Sequence, residues 1–287
     1  MYLTRVVATA LLLLAHPLRA LRSCASETSY LRATLIRRLL EVICRNRSFK
    51  RRLPLEFGRT PLYVSPDAQL KYLTPRRMAF DEGLLRLAFE QVTLGTVVWD
   101  IGASIGVFSV CAAVRAGESG YVLAVEPDEW SANLLRKSAS LPQNRNLRIA
   151  VLTGAAWNAR GTQILTIAAR GRASNALEAA GGRNQMGGAR ERVSVQATTL
   201  DSLLAEYPQP DLVKIDVEGA ERQVLEGASR VLTEVRPRIY IEVGAALAEG
   251  ITALLHAHNY ALFDPSLPNW RHRQLARCVF NTLAIPC

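Results

Sequence analysis

Val97-Val98-Trp99-Asp100-Ile101-Gly102-Ala103-Ser104-Ile105-Gly106 is the stretch whose reading decides the fold. A β-branched apolar run reaches an acid and then two glycines, and a helically patterned segment, 106–115, follows at once. A strand that ends in glycines before a helix lets a ligand approach bare backbone N–H groups.

Working outward, further apolar runs fall at 121–126, 147–153, 212–217 and 238–243, separated by helical patterns at 129–140, 220–233 and 245–258. Strands alternating with helices of this length predict a parallel α/β sheet covered on both faces. Segments 163–168 and 193–198 read as paired strands interrupting that rhythm. Between them, 171–190 is rich in Gly, Arg and Asn and reads as a mobile loop over the active site. Runs at 260–263 and 278–285 predict a terminal antiparallel pair.

The glycine spacing is G-x-x-x-G, unlike the G-x-G-x-x-G that brings a pyrophosphate against the backbone, and Asp100 puts negative charge where a phosphate would be repelled. S-adenosylmethionine carries no phosphate, only a sulfonium, an ammonium and a ribose diol, and so suits this turn better than NAD. One strand-helix-strand unit later Val125-Glu126-Pro127 ends the second strand with an acid, where ribose hydroxyls are accepted in such folds. Asp100 and Glu126 are therefore expected to grip the cofactor together. In Val213-Lys214-Ile215-Asp216-Val217-Glu218-Gly219-Ala220-Glu221, period-2 alternation predicts Lys214, Asp216 and Glu218 on one side of the strand. Charges on an apolar strand are costly unless paired or used. Glu221 reads as a complement to the next helix N-terminus.

D-I-G-A-S-I-G (100–106), V-E-P (125–127), T-L-D (199–201), K-I-D-V-E-G-A-E (214–221), R-P-R-I-Y-I-E (236–242) and F-N-T-L-A-I-P (280–286) resemble the FkbM-type methyltransferases, over roughly residues 80 to 286. The resemblance implies a Rossmann-like class I methyltransferase fold with a seven-stranded, mostly parallel sheet, bound S-adenosylmethionine and usually O-methylation. Carried over, it places Asp100, Gly102, Ser104, Gly106, Glu126 and Pro127 at the cofactor and Lys214, Asp216, Glu218 and Glu242 near the substrate. Ser104 stands where the family usually has Asn, so the contact there is shorter by one donor.

Composition bounds the rest. With 49% hydrophobic and 21% charged residues the chain supports one large core plus an appendage, expected as a basic helical leader over 1–79 and a methyltransferase domain over 80–287. Of the net charge of +10, residues 1–60 hold 12 Lys and Arg against 3 Asp and Glu, which leaves a near-neutral body and argues against a specific nucleic-acid groove. Apolar residues at 35, 36, 39, 40 and 43 predict a leader helix packed on the domain or a partner. The run 6–15 is far short of the ~20 residues a spanning helix needs and reads first as an amphipathic or buried helix, then as an interfacial anchor or a signal. Five cysteines, none in a C-x-x-C pair, predict reduced thiols and a cytoplasmic protein, with peripheral membrane contact open to the basic leader. No metal-ligand spacing is present, although Asp216 is a candidate metal ligand as well as the first candidate general base for an acceptor hydroxyl, with Glu218 and Glu242 in reserve. The acceptor is expected to be a hydroxyl on a glycan, a lipid or a small metabolite. A NAD-dependent oxidoreductase and a non-catalytic, membrane-tethered binding module stay open as other classes on the same fold.

Overall fold

The computed structural model describes residues 27–75, 79–181 and 187–287, with side chains from residue 35 onward. Fourteen strands form three sheets: β1 (Phe49–Arg52) and β2 (Pro61–Val64) make a hairpin. The main sheet takes β3 (Val97–Ile101), β4 (Tyr121–Glu126), β5 (Ile149–Thr153), β10 (Leu212–Ile215), β11 (Arg238–Glu242), β12 (Tyr260–Phe263), β13 (Gln274–Leu275) and β14 (Asn281–Pro286). A smaller sheet takes β6 (Ala155–Ala156), β7 (Gly161–Ala168), β8 (Ala176–Leu177) and β9 (Ala189–Thr198).

The main sheet has the order β13-β12-β14-β11-β10-β3-β4-β5, parallel from β11 to β5 and antiparallel at the other end. Eight strands replace the expected seven, because β13 adds a two-residue edge too short to leave a periodic signal. The chain starts at β3, builds β4 and β5 on one side and returns to build β10 and β11 on the other, so the topological switch point lies between β3 and β10. Ligands in open α/β sheets bind outside the carboxyl ends of strands at such a point.

Strand alternation divides the core. Val98, Val122, Ala124 and Leu212 face the helices Glu82–Gln91, Val107–Ala116 and Glu129–Ala139. Trp99, Ile101, Leu123, Val213 and Ile215 face the opposite layer, which contains the helix Ala248–Ala257. Asp81 starts the first of these helices by accepting from the backbone N–H of Gly83 and Leu84, the N-cap arrangement that satisfies orphan helix donors. The expected helix 220–233 is split into Glu221–Glu226 and a π-turn at Val231–Val235.

The smaller sheet contains the expected strand pair: β7 and β9 are antiparallel, with Gln163 opposite Val195. Within the expected loop 171–190, a short turn at Arg172–Ser174 and β8 lean over the main sheet, and residues 182–186 lie outside the described set. Residues 49–74, assigned to the leader on the sequence, share the larger core, where Leu53, Phe57, Leu62, Val64 and Tyr72 pack with the helices of one face. The leader helix is present as Glu27–Ile43, but its apolar stripe points away from the body; the run 6–15 lies outside the described residues. No helix among the described residues is long and apolar enough to cross a membrane.

Candidate active site

The turn after β3 is held by backbone. Gly102 and Ala103 donate to the Val125 carbonyl at 2.9 and 3.1 Å, and the Ser104 N–H donates to Glu126 Oε2 at 2.7 Å. Gly102 sits at φ +79°, and a Cβ there would lie 1.8 Å from the Asp216 carbonyl oxygen, so only glycine lets the ends of β3 and β10 meet this closely. Gly106 has another reason: at φ +83° its missing Cβ leaves room for Leu135, 2.1 Å from where that atom would be.

Glu126, at the end of β4, is buried with both oxygens engaged, since Oε1 accepts from the Asp128 N–H at 2.8 Å. Burial pushes its carboxyl up to about 8, with the Asp128 charge acting the same way, against the two backbone donors and the Lys214 charge. Asp128 is gripped by Arg172, whose Nη1 lies 2.9 Å from Oδ1 and whose Nε reaches Asp67 Oδ2 at 3.1 Å. The same guanidinium stacks over Trp130 at 4.8 Å, and Arg190 adds a second pairing to Asp67 at 3.0 Å.

Gly102, Ala103, Ser104, Glu126 and Arg172 border a cavity of about 380 Å³ at the switch point, within the usual range for small-molecule sites. Of the expected cofactor set, Gly102, Ser104, Glu126 and Pro127 line it, and Asp100 and Gly106 do not. The expected pair of acids therefore does not share the cavity: Glu126 lines it and Asp100 does not. Asp100 shares the face of Val98 and points under the turn, where Ser109 Oγ donates to Oδ2 at 2.5 Å and Lys214 Nζ lies 3.1 Å from Oδ1.

Lys214, Asp216, Glu218 and Glu242 all line the cavity. Lys214 Nζ is already engaged, donating to the Gly102 carbonyl at 3.0 Å and facing Asp100 at 3.1 Å and Asp216 at 3.6 Å. Burial works against its charge, but the Asp100 and Asp216 carboxylates outweigh it and raise the lysine above its ordinary value. Its ammonium therefore ties the turn to β10 rather than facing the cavity freely. Alternation places only Lys214 and Asp216 together: β10 stops at Ile215, and Glu218 lies beyond it in a left-handed turn at φ +53°.

Three participants carried no motif. Lys71 and Asp81 line the end of the cavity near Glu242, 3.6 Å apart, and burial lowers the Lys71 pKa while Asp81 and Glu242 oppose the shift. Asn175 also lines the cavity; its Oδ1 accepts from the Ala168 N–H at 2.9 Å, and its buried Nδ2 has no hydrogen-bond partner. Lys71 and Asn175 gave no sequence signal. Among the described residues no three His, Cys, Asp or Glu side chains gather as a metal site.

A mostly parallel sheet covered on both faces, with an amide-clamped acid beside the glycine turn at its switch point, defines the Rossmann-like class. The chain belongs to the methyltransferase FkbM domain family, which it matches over residues 100–262, more than half its length. It is accordingly a methyltransferase, which sets the oxidoreductase reading aside. It is 24% identical over 183 residues to the hexuronic acid methyltransferase AglP of Haloferax volcanii, covering 63% of this chain and 70% of that one. A solved FkbM methyltransferase from Methylobacillus flagellatus aligns at 17% identity and a TM-score of 0.43, over 66% of this chain and 43% of that chain. A SAM-dependent O-methyltransferase from Thermotoga maritima aligns at 13% identity and 0.41, over 79% and 73%.

Proposed function

We propose that this chain is an S-adenosylmethionine-dependent O-methyltransferase acting on a hydroxyl of a glycan, a lipid headgroup or a hydroxylated metabolite. The observation that carries the reading is that one cavity gathers two kinds of lining: the glycine turn with Glu126 and Asn175, and the charged side chains of Asp216, Glu218, Glu242 and Lys71.

The glycine turn, Glu126 and Asn175 fit the cofactor. Glu126 keeps lone pairs beyond those its two amide donors use, which suits a ribose diol, and the orphaned Asn175 Nδ2 is a donor that a nucleobase ring nitrogen can fill. S-adenosylmethionine would supply a methyl group on a cationic sulfur, open to in-line displacement. The carboxylates of Asp216, Glu218 and Glu242 favour a cation beside them.

Asp216 takes the proton from the acceptor hydroxyl. Its partly exposed carboxylate is oriented by Lys214, which ties it to the turn whose backbone forms the cavity wall. Glu218 and Glu242 are the alternative bases, and holding the hydroxyl in line supplies most of the acceleration. Lys71 favours a second acceptor, a sugar carboxylate, in keeping with the printed name of the Haloferax relative.

Isothermal titration with S-adenosylhomocysteine on wild type and Glu126→Ala tests the cofactor; loss of a charged acceptor should weaken binding by about 10- to 100-fold. Absence of binding to wild type would refute the cofactor assignment to this cavity. Transfer of a tritiated methyl group to neutral glycosides and their uronic acid counterparts then separates the acceptors. An ether label survives mild alkali, whereas an ester label is released.

A further inference from the structure

The helix Glu27–Ile43 is held to the body by its polar side. Arg37 Nε lies 3.0 Å from Glu41 Oε1, Glu41 Oε2 lies 3.6 Å from Arg170, and Cys44 just beyond the helix is buried. The other side is aliphatic and uncovered by the described residues: Leu35 is 64% exposed, Leu39 59%, Val42 55% and Ile43 52%, with Ile36 beside them. Positions 35, 39 and 42 with 36 and 43 share one stripe roughly a third of the way around a helix. In a water-facing helix the sides would be reversed, so this stripe has an occupant.

Charge selects it. Among residues 35–60 the exposed charged side chains are Arg38, Arg45, Arg47, Lys50, Arg52 and Arg59 against Glu56 alone. A second copy packed by a two-fold axis would bring Arg38 and Arg45 against their own equivalents, a like-charge contact that a self-complementary interface avoids. A single nucleic-acid strand would call for aromatic stacking platforms, and this stripe holds only Leu, Ile and Val. An aliphatic stripe bordered by arginines matches the interface of an anionic bilayer, with acyl chains against the stripe and headgroups against the basic rim.

We infer that the helix Glu27–Ile43 is a membrane-surface docking element that lies in the plane of an anionic lipid bilayer. Its contact with Arg170, two residues before the cavity-lining Arg172, places the insert of the catalytic domain next to that surface.

The test is co-sedimentation of the full chain with phosphatidylcholine vesicles with and without about 30 mol% phosphatidylglycerol. Wild type should partition onto the anionic vesicles and be released by salt. Leu39→Glu/Val42→Glu and, separately, Arg38→Gln/Arg45→Gln should each lower partitioning by roughly tenfold or more, with melting temperature and S-adenosylhomocysteine affinity unchanged. Three results would overturn the inference: no binding of wild type to either vesicle, which would leave residues 1–26 to cover the stripe; equal binding by the variants; or a dimer in light scattering that the Leu39/Val42 variant splits.

Discussion

If Glu126 accepts the cofactor's ribose as proposed, cofactor affinity should fall as pH drops through the range where its carboxyl titrates. Two backbone amides aim at its oxygens, yet burial raises it from an ordinary value of 4.5 to about 8. A ribose diol donates two hydrogen bonds, so the ionised form, with acceptors on both oxygens, is the one that binds. If only that form binds, the apparent dissociation constant is multiplied by about 2 at pH 8, roughly 10 at pH 7 and about 100 at pH 6, and levels off above pH 9. Titration with S-adenosylhomocysteine across that range reads this directly. Ligand-free stability runs the opposite way: with its folded value raised, the group stabilises the fold fully below about 4.5, and that contribution is lost as pH rises through 8. The ligand-free melting temperature should therefore drop on going from pH 6 to 9. Glu126→Gln is the control, because an amide does not titrate and turns its NH₂ toward one of the two backbone donors, costing ~1–3 kcal/mol. A dissociation constant flat from pH 6 to 9, or the same slope in Glu126→Gln, would refute the reasoning.

Other perturbations separate the parts of the site. Asp216→Asn should leave S-adenosylhomocysteine affinity within about threefold and lower turnover by about 10² or more; unchanged turnover transfers the base to Glu218 or Glu242. Gly102→Ala combines a left-handed backbone with a contact against the Asp216 carbonyl and should cost roughly 2–5 kcal/mol, read as a lower melting temperature. Arg172→Met leaves the buried Asp67 and Asp128 carboxylates short of a partner, an expected loss of about 3–5 kcal/mol visible in chemical denaturation.

The parallel strands and the Glu126 turn were legible because they leave local marks: a β-branched run, a glycine spacing, an acid at a strand end. Asp100 shows the limit of such marks. An acid before a glycine turn reads the same whether it faces the ligand or the layer below, and only the packing of Ser109 and Lys214 beneath it decides. Glu218 was over-read for a related reason, since alternation was extended past Ile215, where the chain leaves the strand for a turn through Glu218 and Gly219. Lys71 and Asn175 were out of reach, because their positions depend on contacts between segments far apart in the chain. The Arg172–Asp67 pair spans 105 residues and no short-range pattern encodes it.

That ionic knot bears on how the fold tolerates exchange. Asn46 and Asp67 come from before the family-matched region, Asp128 from the rim of β4, and Arg172 and Arg190 from the insert that carries the smaller sheet. The insert is keyed to its host like a plug to one socket. A chimera that imports a relative's insert should fold only if matching acids at 67 and 128 travel with it, so drift in this part of the protein is expected to proceed in concerted sets.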